Sequence, residues 1–376
     1  MLIPRVYDDL ARHIRPGKVL VIYGPRRVGK STLIQQYYHL QKCSKRMVSG
    51  DDISIQEALG SRRISTINAL VEGLDLFIID EAQRIPHIGL GLKIMIDANP
   101  MLKVIATGSA SFDLQNKIGE PLTGRKKTLA LYPVSNIEMK SYKTQWEITQ
   151  SLEELLIYGS YPEIMTSVSQ SDRQSFLNEI TNSYLLKDIL ELERVKGAKV
   201  LFDLLRMLAF QVGSEVSLTE LASSIGLDKN TVARYLDLFE KAFVLYNLRG
   251  FSKNLRKEIT KKSKYYFYDN GIRNALIANF NPLSLRDDQG KLWENFLVME
   301  RIKKQAYTPL YCNNFFWRTW DQKEIDWIEQ REGKLFAFEF KWKSSNASKT
   351  HAYFESIYPE AITEVINKDN YLDFIT

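Results

Sequence analysis

Residues 24–32 read Gly24-Pro25-Arg26-Arg27-Val28-Gly29-Lys30-Ser31-Thr32, a complete G-x-x-x-x-G-K-[ST] spacing directly after the apolar run Val19-Leu20-Val21-Ile22-Tyr23. Such a loop holds phosphate. Its glycines let successive backbone N–H groups turn inward toward phosphate oxygens, and the helix expected to start near Lys30 adds the positive end of its dipole. Lys30 is expected to reach the β- and γ-phosphates of a nucleotide and Ser31 to ligate Mg²⁺. A nucleotide with Mg²⁺ is the ligand this chemistry implies.

A second cluster brings hydrolysis within reach. Leu76-Phe77-Ile78-Ile79-Asp80-Glu81 is an apolar strand pattern ending in two adjacent acids. Side chains alternate along a strand, so the two acids do different work: Asp80 holds Mg²⁺ through water, and Glu81 orients or deprotonates the attacking water. The same pair also fits a plain helix cap. Val104-Ile105-Ala106-Thr107-Gly108-Ser109 is another buried strand, and Thr107 or Ser109 at its end is placed to sense the γ-phosphate or the water. Arg125, in a loop before Leu129-Ala130-Leu131-Tyr132-Pro133, is a candidate arginine finger acting within the chain or from a neighbouring subunit.

Two further patterns lie downstream. Residues 218–236 read as helix, glycine turn, helix, with Leu218, Leu221, Ala222, Val232, Leu236 and Phe239 facing inward. On a DNA reader Lys229, Asn230, Thr231 and Arg234 would face the groove and Tyr235 a backbone phosphate. A basic stretch, Arg249 to Lys253, Arg256, Lys257, Lys261, Lys262 and Lys264, reads as a wing laid on phosphates. The same unit also suits a protein partner. Farther on, Asp326 and then Glu339-x-Lys341 fall on strand patterns, and they look like the PD-(D/E)XK nuclease fold. Asp326 and Glu339 would hold a metal there, with Lys341 activating water and Glu294 from the preceding helix completing the set. A strand hairpin with outward charges carries the same residues.

The elements needed to position these groups imply several cores. The 376 residues, 44% hydrophobic and 26% charged, suit an α/β protein of two or three domains. The expected order is a P-loop parallel-sheet domain over 1–142, a helical region over 143–207, a winged helix over 208–281 and a restriction-endonuclease-like α/β domain over 282–376. A net charge of +6 permits nucleic-acid binding without requiring it. No apolar run is long enough for a membrane span, and the opening Met1-Leu2-Ile3-Pro4-Arg5 does not read as a signal sequence, so a cytoplasmic protein is expected. Cys43 and Cys312 stand far apart, without metal-ligand spacing.

Together the phosphate loop, the run Ile79-Asp80-Glu81-Ala82-Gln83-Arg84-Ile85-Pro86, Thr107-Gly108-Ser109-Ala110-Ser111 and Gly124-Arg125 before Tyr132-Pro133-Val134-Ser135 resemble a large bacterial and archaeal group of AAA-type ATP-binding proteins. That group joins its ATPase domain to a C-terminal domain of unknown function. The resemblance continues at Gly159-Ser160-Tyr161-Pro162-Glu163, Tyr184-Leu185-Leu186-Lys187-Asp188, Lys264-Tyr265-Tyr266-Phe267-Tyr268-Asp269-Asn270-Gly271 and Trp293-Glu294-Asn295-Phe296, so it spans nearly the whole chain. It implies ATP and Mg²⁺ as ligands, and an oligomer if Arg125 acts in trans. Ser31 replaces the threonine common in the group and keeps the Mg²⁺ oxygen.

Overall fold

The computed structural model describes residues 2–109, 122–184, 198–251, 263–308, 310–319, 321–343 and 349–376. Contacts divide the chain into two compact units, the first running to Pro133 and the second from Val134 with nearly all that follows.

The first unit is built on five strands: β1 (Val19–Tyr23), β2 (Lys45–Ser49), β3 (Leu76–Asp80), β4 (Lys103–Gly108) and β5 (Lys126–Ala130). They pair in parallel in the order β2-β3-β4-β1-β5. The first four residues of β1 and of β3 are buried without interruption, as strands covered on both faces require. Alternation divides the core: Val19, Val21, Phe77, Ile79, Val104 and Ala106 cluster with Leu59, Ile67, Leu92 and Met95 of the helices Ile53–Gly60, Ile64–Val71 and Ile88–Ala98. Leu20, Ile22, Ile78 and Ile105, one residue out of step, are equally buried.

The second unit opens with short helices, of which Asn136–Met139 and Gln145–Gln150 each start at a complete capping box. It then builds one mixed seven-stranded sheet. Its members are β6 (Glu215–Val216), β7 (Leu245–Gly250), β8 (Ser263–Phe267), β9 (Asn313–Arg318), β10 (Glu324–Arg331), β11 (Lys334–Phe340) and β12 (Ile362–Ile366). Their order is β12-β11-β10-β9-β7-β8-β6. β7 and β8 form an antiparallel pair, and β7 also runs parallel to β9 through Arg249↔Phe315 and Gly250↔Phe316. The segments expected to be a winged helix and a nuclease-like domain therefore share a sheet. β10 and β11 are joined at Glu332-Gly333, both at positive φ, the two-residue turn that matches strand twist.

Two helices joined through a glycine turn stand at the expected place. Helix Leu218–Ile225 starts at Ser217 and stops at Gly226, which is left-handed at φ 68°, and helix Lys229–Lys241 follows. Leu221, Ala222, Val232, Leu236 and Phe239 are buried as expected, and Leu218 is half-buried. Among the described residues no helix is long and apolar enough to cross a membrane.

Candidate functional site

The phosphate loop leaves β1 at Tyr23 and enters the helix Lys30–Leu40 through Gly29, left-handed at φ 96°. Gly24 admits no side chain, since a Cβ there would lie 1.9 Å from the Leu131 carbonyl oxygen. Lys30 is 5% exposed and donates to the carbonyls of Gly24 (2.9 Å) and Pro25 (2.7 Å). Its ammonium thus sits inside the loop it is expected to serve. Arg5, which the sequence reading did not single out, donates to the Val28 carbonyl and to the Tyr132 carbonyl (2.6 Å), stapling the loop to the chain after β5.

Register brings the acids to the same edge. Tyr23 pairs with Gly108 and Ile79 with Ala106, so the ends of β1, β4 and β3 are level. With strands about 4.8 Å apart, the phosphate loop and Asp80 stand roughly 10 Å from each other across β4. Asp80 Oδ1 accepts the Thr107 hydroxyl and the Glu81 N–H (3.1 Å), and that N–H also reaches Thr107 Oγ1 (3.1 Å). Glu81 is left-handed at φ 52°, unusual for a residue with a side chain. The bend turns its carboxylate toward Gln83, whose amide nitrogen donates to Glu81 Oε2 and to Ser109 Oγ (3.1 Å). Thr107 and Ser109 are both buried. Gly50 closes the arrangement from β2: its N–H donates to the Asp80 carbonyl (2.7 Å), and a Cβ on it would come 2.3 Å from the Glu81 carbonyl oxygen.

Arg125 requires a correction. It directly precedes β5, and the start of β5 pairs with Val19 at the start of β1, so Arg125 lies at the opposite edge of the sheet from the phosphate loop. The five residues of β1 separate the two edges by roughly 16 Å. There Arg125 is ion-paired with Asp97. A finger within the chain is excluded by this placement.

In the second unit Lys229, Asn230 and Arg234 are exposed, while the Thr231 hydroxyl donates to Asp228, which also takes the N–H groups of Asn230 and Thr231 (both 2.9 Å). Tyr235 does not face a phosphate: it is 5% exposed, with Arg234 over its ring. Lys264 is not part of a basic wing either. It is 1% exposed and ion-paired with Glu294 and Glu324. Burial pulls its pKa down, but Glu294, Asp326 and Glu324 outweigh that and hold it well above the ordinary value. Lys253, Arg256, Lys257, Lys261 and Lys262 lie outside the described residues, as do Ala110, Ser111 and the run 185–188.

Asp326 on β10 and Glu339 on β11 lie on neighbouring strands, with Lys341 just beyond β11. Glu339 pairs with Lys341 (2.5 Å) and approaches His351 Nε2 (3.4 Å), and Asp326 accepts the Phe340 N–H (2.7 Å) on the neighbouring strand. Burial, then the nearby Glu294, push Asp326 up to about 7. Glu294 stands near Asp326, and its Oε1 receives the Tyr266 hydroxyl (2.7 Å) and the Lys264 ammonium (3.2 Å). Among the described residues no group of three or more His, Cys, Asp or Glu side chains is arranged to hold a metal ion.

The remaining motif runs meet one another in a buried polar network. Asp269 accepts the N–H groups of Ser160 (2.7 Å) and Gly271 (2.8 Å), Lys303 reaches Ser160 Oγ (3.1 Å), and Asn295 bonds Phe267 and Asn270. Gly159 is forced, because a Cβ would lie 1.8 Å from Asp269 Oδ1. These runs hold the fold of the second unit.

A parallel sheet with a phosphate loop after β1 and an Asp-Glu pair at the end of β3 is the arrangement of a P-loop NTPase domain, and residues 16–140 match the AAA domain family. Residues 149–283 match a domain of unknown function (DUF8612) and residues 289–371 another (DUF4143). The chain thus carries, in order, a match to the AAA domain and, at the C-terminal side, a match to the second of these domains. An uncharacterised protein of Mycobacterium tuberculosis is 27% identical over 340 residues, covering 89% of this chain and 73% of that one. Uncharacterised proteins of Haemophilus influenzae (24%, covering 84% and 80%) and Methanocaldococcus jannaschii (22%, covering 87% and 75%) are similar over comparable spans. Among solved structures, a signal transduction ATPase with numerous domains and a tetratricopeptide repeat sensor, from Pyrococcus horikoshii, aligns at 13% identity and a TM-score of 0.25. That alignment covers 82% of this chain and 46% of the other, so this chain spans under half of that protein, and so loose a match carries no argument.

Proposed function

We propose that the first unit binds ATP with Mg²⁺ and hydrolyses it. The observation that carries this reading is the convergence at one sheet edge of the phosphate loop, Asp80, Glu81 and Ser109. In this reading the N–H groups of residues 24–32 cradle the phosphates, and Lys30 exchanges the Gly24 and Pro25 carbonyls for phosphate oxygens. The oxygen donors Ser31 and Asp80 suit Mg²⁺, and Asp80 is already anchored through Oδ1 by Thr107. Mg²⁺ supplies charge neutralisation on the β- and γ-phosphates. Glu81 takes the proton of the attacking water, and Arg125 serves only from a neighbouring subunit. The test is phosphate release from ATP by wild type and Glu81→Gln, with and without DNA. Glu81→Gln is expected to lower kcat by about 10²–10⁴-fold while still binding ATP. Equal turnover by the two would reject the assignment.

The second unit is the partner-facing part, and exposed Lys229, Asn230 and Arg234 favour double-stranded DNA as that partner. The shared sheet supports treating 208–281 and 282–376 as one mechanical body. A second reading, a nucleotide-dependent switch acting on a protein with an inactive nuclease-like tail, is favoured by Lys264 standing among the acids. Mg²⁺-dependent DNA cutting that Glu339→Ala abolishes would reject the inactive tail. A cytoplasmic location accords with either reading.

A further inference from the structure

Resting on the ATP-hydrolysing reading, we infer that Gln83 is a positioning residue that couples Ser109 to Glu81, its one amide nitrogen giving a hydrogen to each. Three observations support this. Gln83 is 9% exposed, so these bonds are made away from bulk water. Its nitrogen donates to Glu81 Oε2 and to Ser109 Oγ, and those two acceptors come from the ends of different strands, β3 and β4. The left-handed turn at Glu81 leads straight into the short helix Ala82–Arg84, which swings Gln83 back over the sheet edge.

The direction of these bonds fixes what the neighbours can still do. An amide NH₂ only donates, so Ser109 Oγ is an acceptor here and keeps its own hydroxyl hydrogen for another partner. Thr107 differs: its hydroxyl hydrogen is committed to Asp80 Oδ1. Of Thr107 on β4 and Ser109 just beyond it, Ser109 is the one able to donate toward a γ-phosphate. Glu81, fixed through Oε2, presents Oε1 to the attacking water. When Ser109 moves to meet a phosphate, the shared amide moves the carboxylate with it.

The experiment is steady-state ATP turnover together with binding of a fluorescent ATP analogue, for wild type, Glu81→Gln, Gln83→Ala, Gln83→Met, Ser109→Ala and the Gln83→Met/Ser109→Ala double variant. Methionine fills a similar volume and donates nothing, so it decides the matter if Gln83→Ala fails to fold. Gln83→Met is expected to lose about tenfold to a hundredfold in kcat, the scale of a misplaced reacting group, with analogue affinity within about twofold of wild type. The double variant is expected to be no slower than the slower single one, because both substitutions break the same link. Unchanged kcat in Gln83→Met, or losses that multiply in the double variant, overturns the coupling. If wild type and Glu81→Gln turn over alike, the ATP-hydrolysing reading fails first, and the coupling fails with it.

Discussion

At Gly50 the requirement for one atom fewer is easiest to state. Its φ is ordinary, so conformational freedom is not the reason; the Cβ of any other residue would sit 2.3 Å from the Glu81 carbonyl oxygen and 3.0 Å from its carbon. Backbone meets backbone there, and no flexible side chain can give way. Gly50→Ala is therefore expected to displace Glu81 from its left-handed turn, lowering kcat about tenfold or more and costing about 1–3 kcal/mol of stability. Gly73→Ala is the control: it has positive φ but nothing within 4 Å, so it should cost about 1 kcal/mol and leave turnover alone. Phosphate-release assays and urea midpoints on the two variants check this. Residues of this kind divide by how far their partners lie along the chain. Gly24, Lys30, Asp80 and Glu81 were legible because a short local pattern carries each. Gly50, Arg5 and the partnership of Gln83 with Ser109 were not, since each depends on contact with a segment distant in sequence, and nothing local marks it.

Strand order sets what the elements can bring together, and it is the part a linear pattern conceals most. Apolar runs identified β1, β3 and β4, but not that β4 stands between β1 and β3 and so puts Thr107 beside Asp80. The position of Arg125 could have been read from the sequence: a residue just before a parallel strand lies at the edge opposite the one where phosphate loops sit. Tyr235 was misjudged because a helix position between two inward residues can itself be covered, as Val232 and Leu236 are. Lys264 was counted as surface charge although its strand neighbours Tyr265, Tyr266 and Phe267 are all buried. Charged groups also tie helices to each other. Asp288, at the start of the helix Gln289–Tyr307, bonds Arg286 (2.8 Å) and Arg273 of the helix Asn270–Leu276 (2.5 Å). Burial pushes its carboxyl up, but the Arg286 and Arg273 guanidinium groups prevail and hold it at about 2. A depressed carboxylate contributes stability above its unfolded pKa near 3.8 and loses it as pH falls through about 2. Asp288→Asn should thus lose about 2 kcal/mol relative to wild type at pH 6, with roughly half of that gap closed by pH 3. Urea unfolding of both proteins at the two pH values measures it, and a gap that ignores pH would mean the ion pairs are not its source.

For the whole molecule, charge is the property that a partner meets first. The chain carries 51 lysines and arginines against 45 acids, a modest excess, so where the charges stand matters more than their sum. Burial withdraws several of them. Lys264, Arg273, Arg286, Arg301 and Lys303 are enclosed and neutralised by carboxylates, whereas Lys229 and Arg234 remain exposed on one helix. Asp228 at the start of that helix works against phosphate, and Thr231 is tied to it, so contact would fall to Lys229, Asn230 and Arg234. Cations that neutralise phosphates release counter-ions on binding, and each one lost should reduce the slope of log affinity against log salt by about one. Neutralising Lys229 and Arg234 together is therefore expected to weaken double-stranded DNA binding evenly across sequences and to lower that slope by about two. Asn230→Ala should leave the slope as it was and change only preference among sequences, because an amide reads base edges rather than charge. Fluorescence anisotropy across a salt series separates these outcomes. If the double neutralisation changes neither affinity nor slope, the helix-turn-helix is not the nucleic-acid surface, and a protein partner becomes the occupant that its exposed face must be tested against.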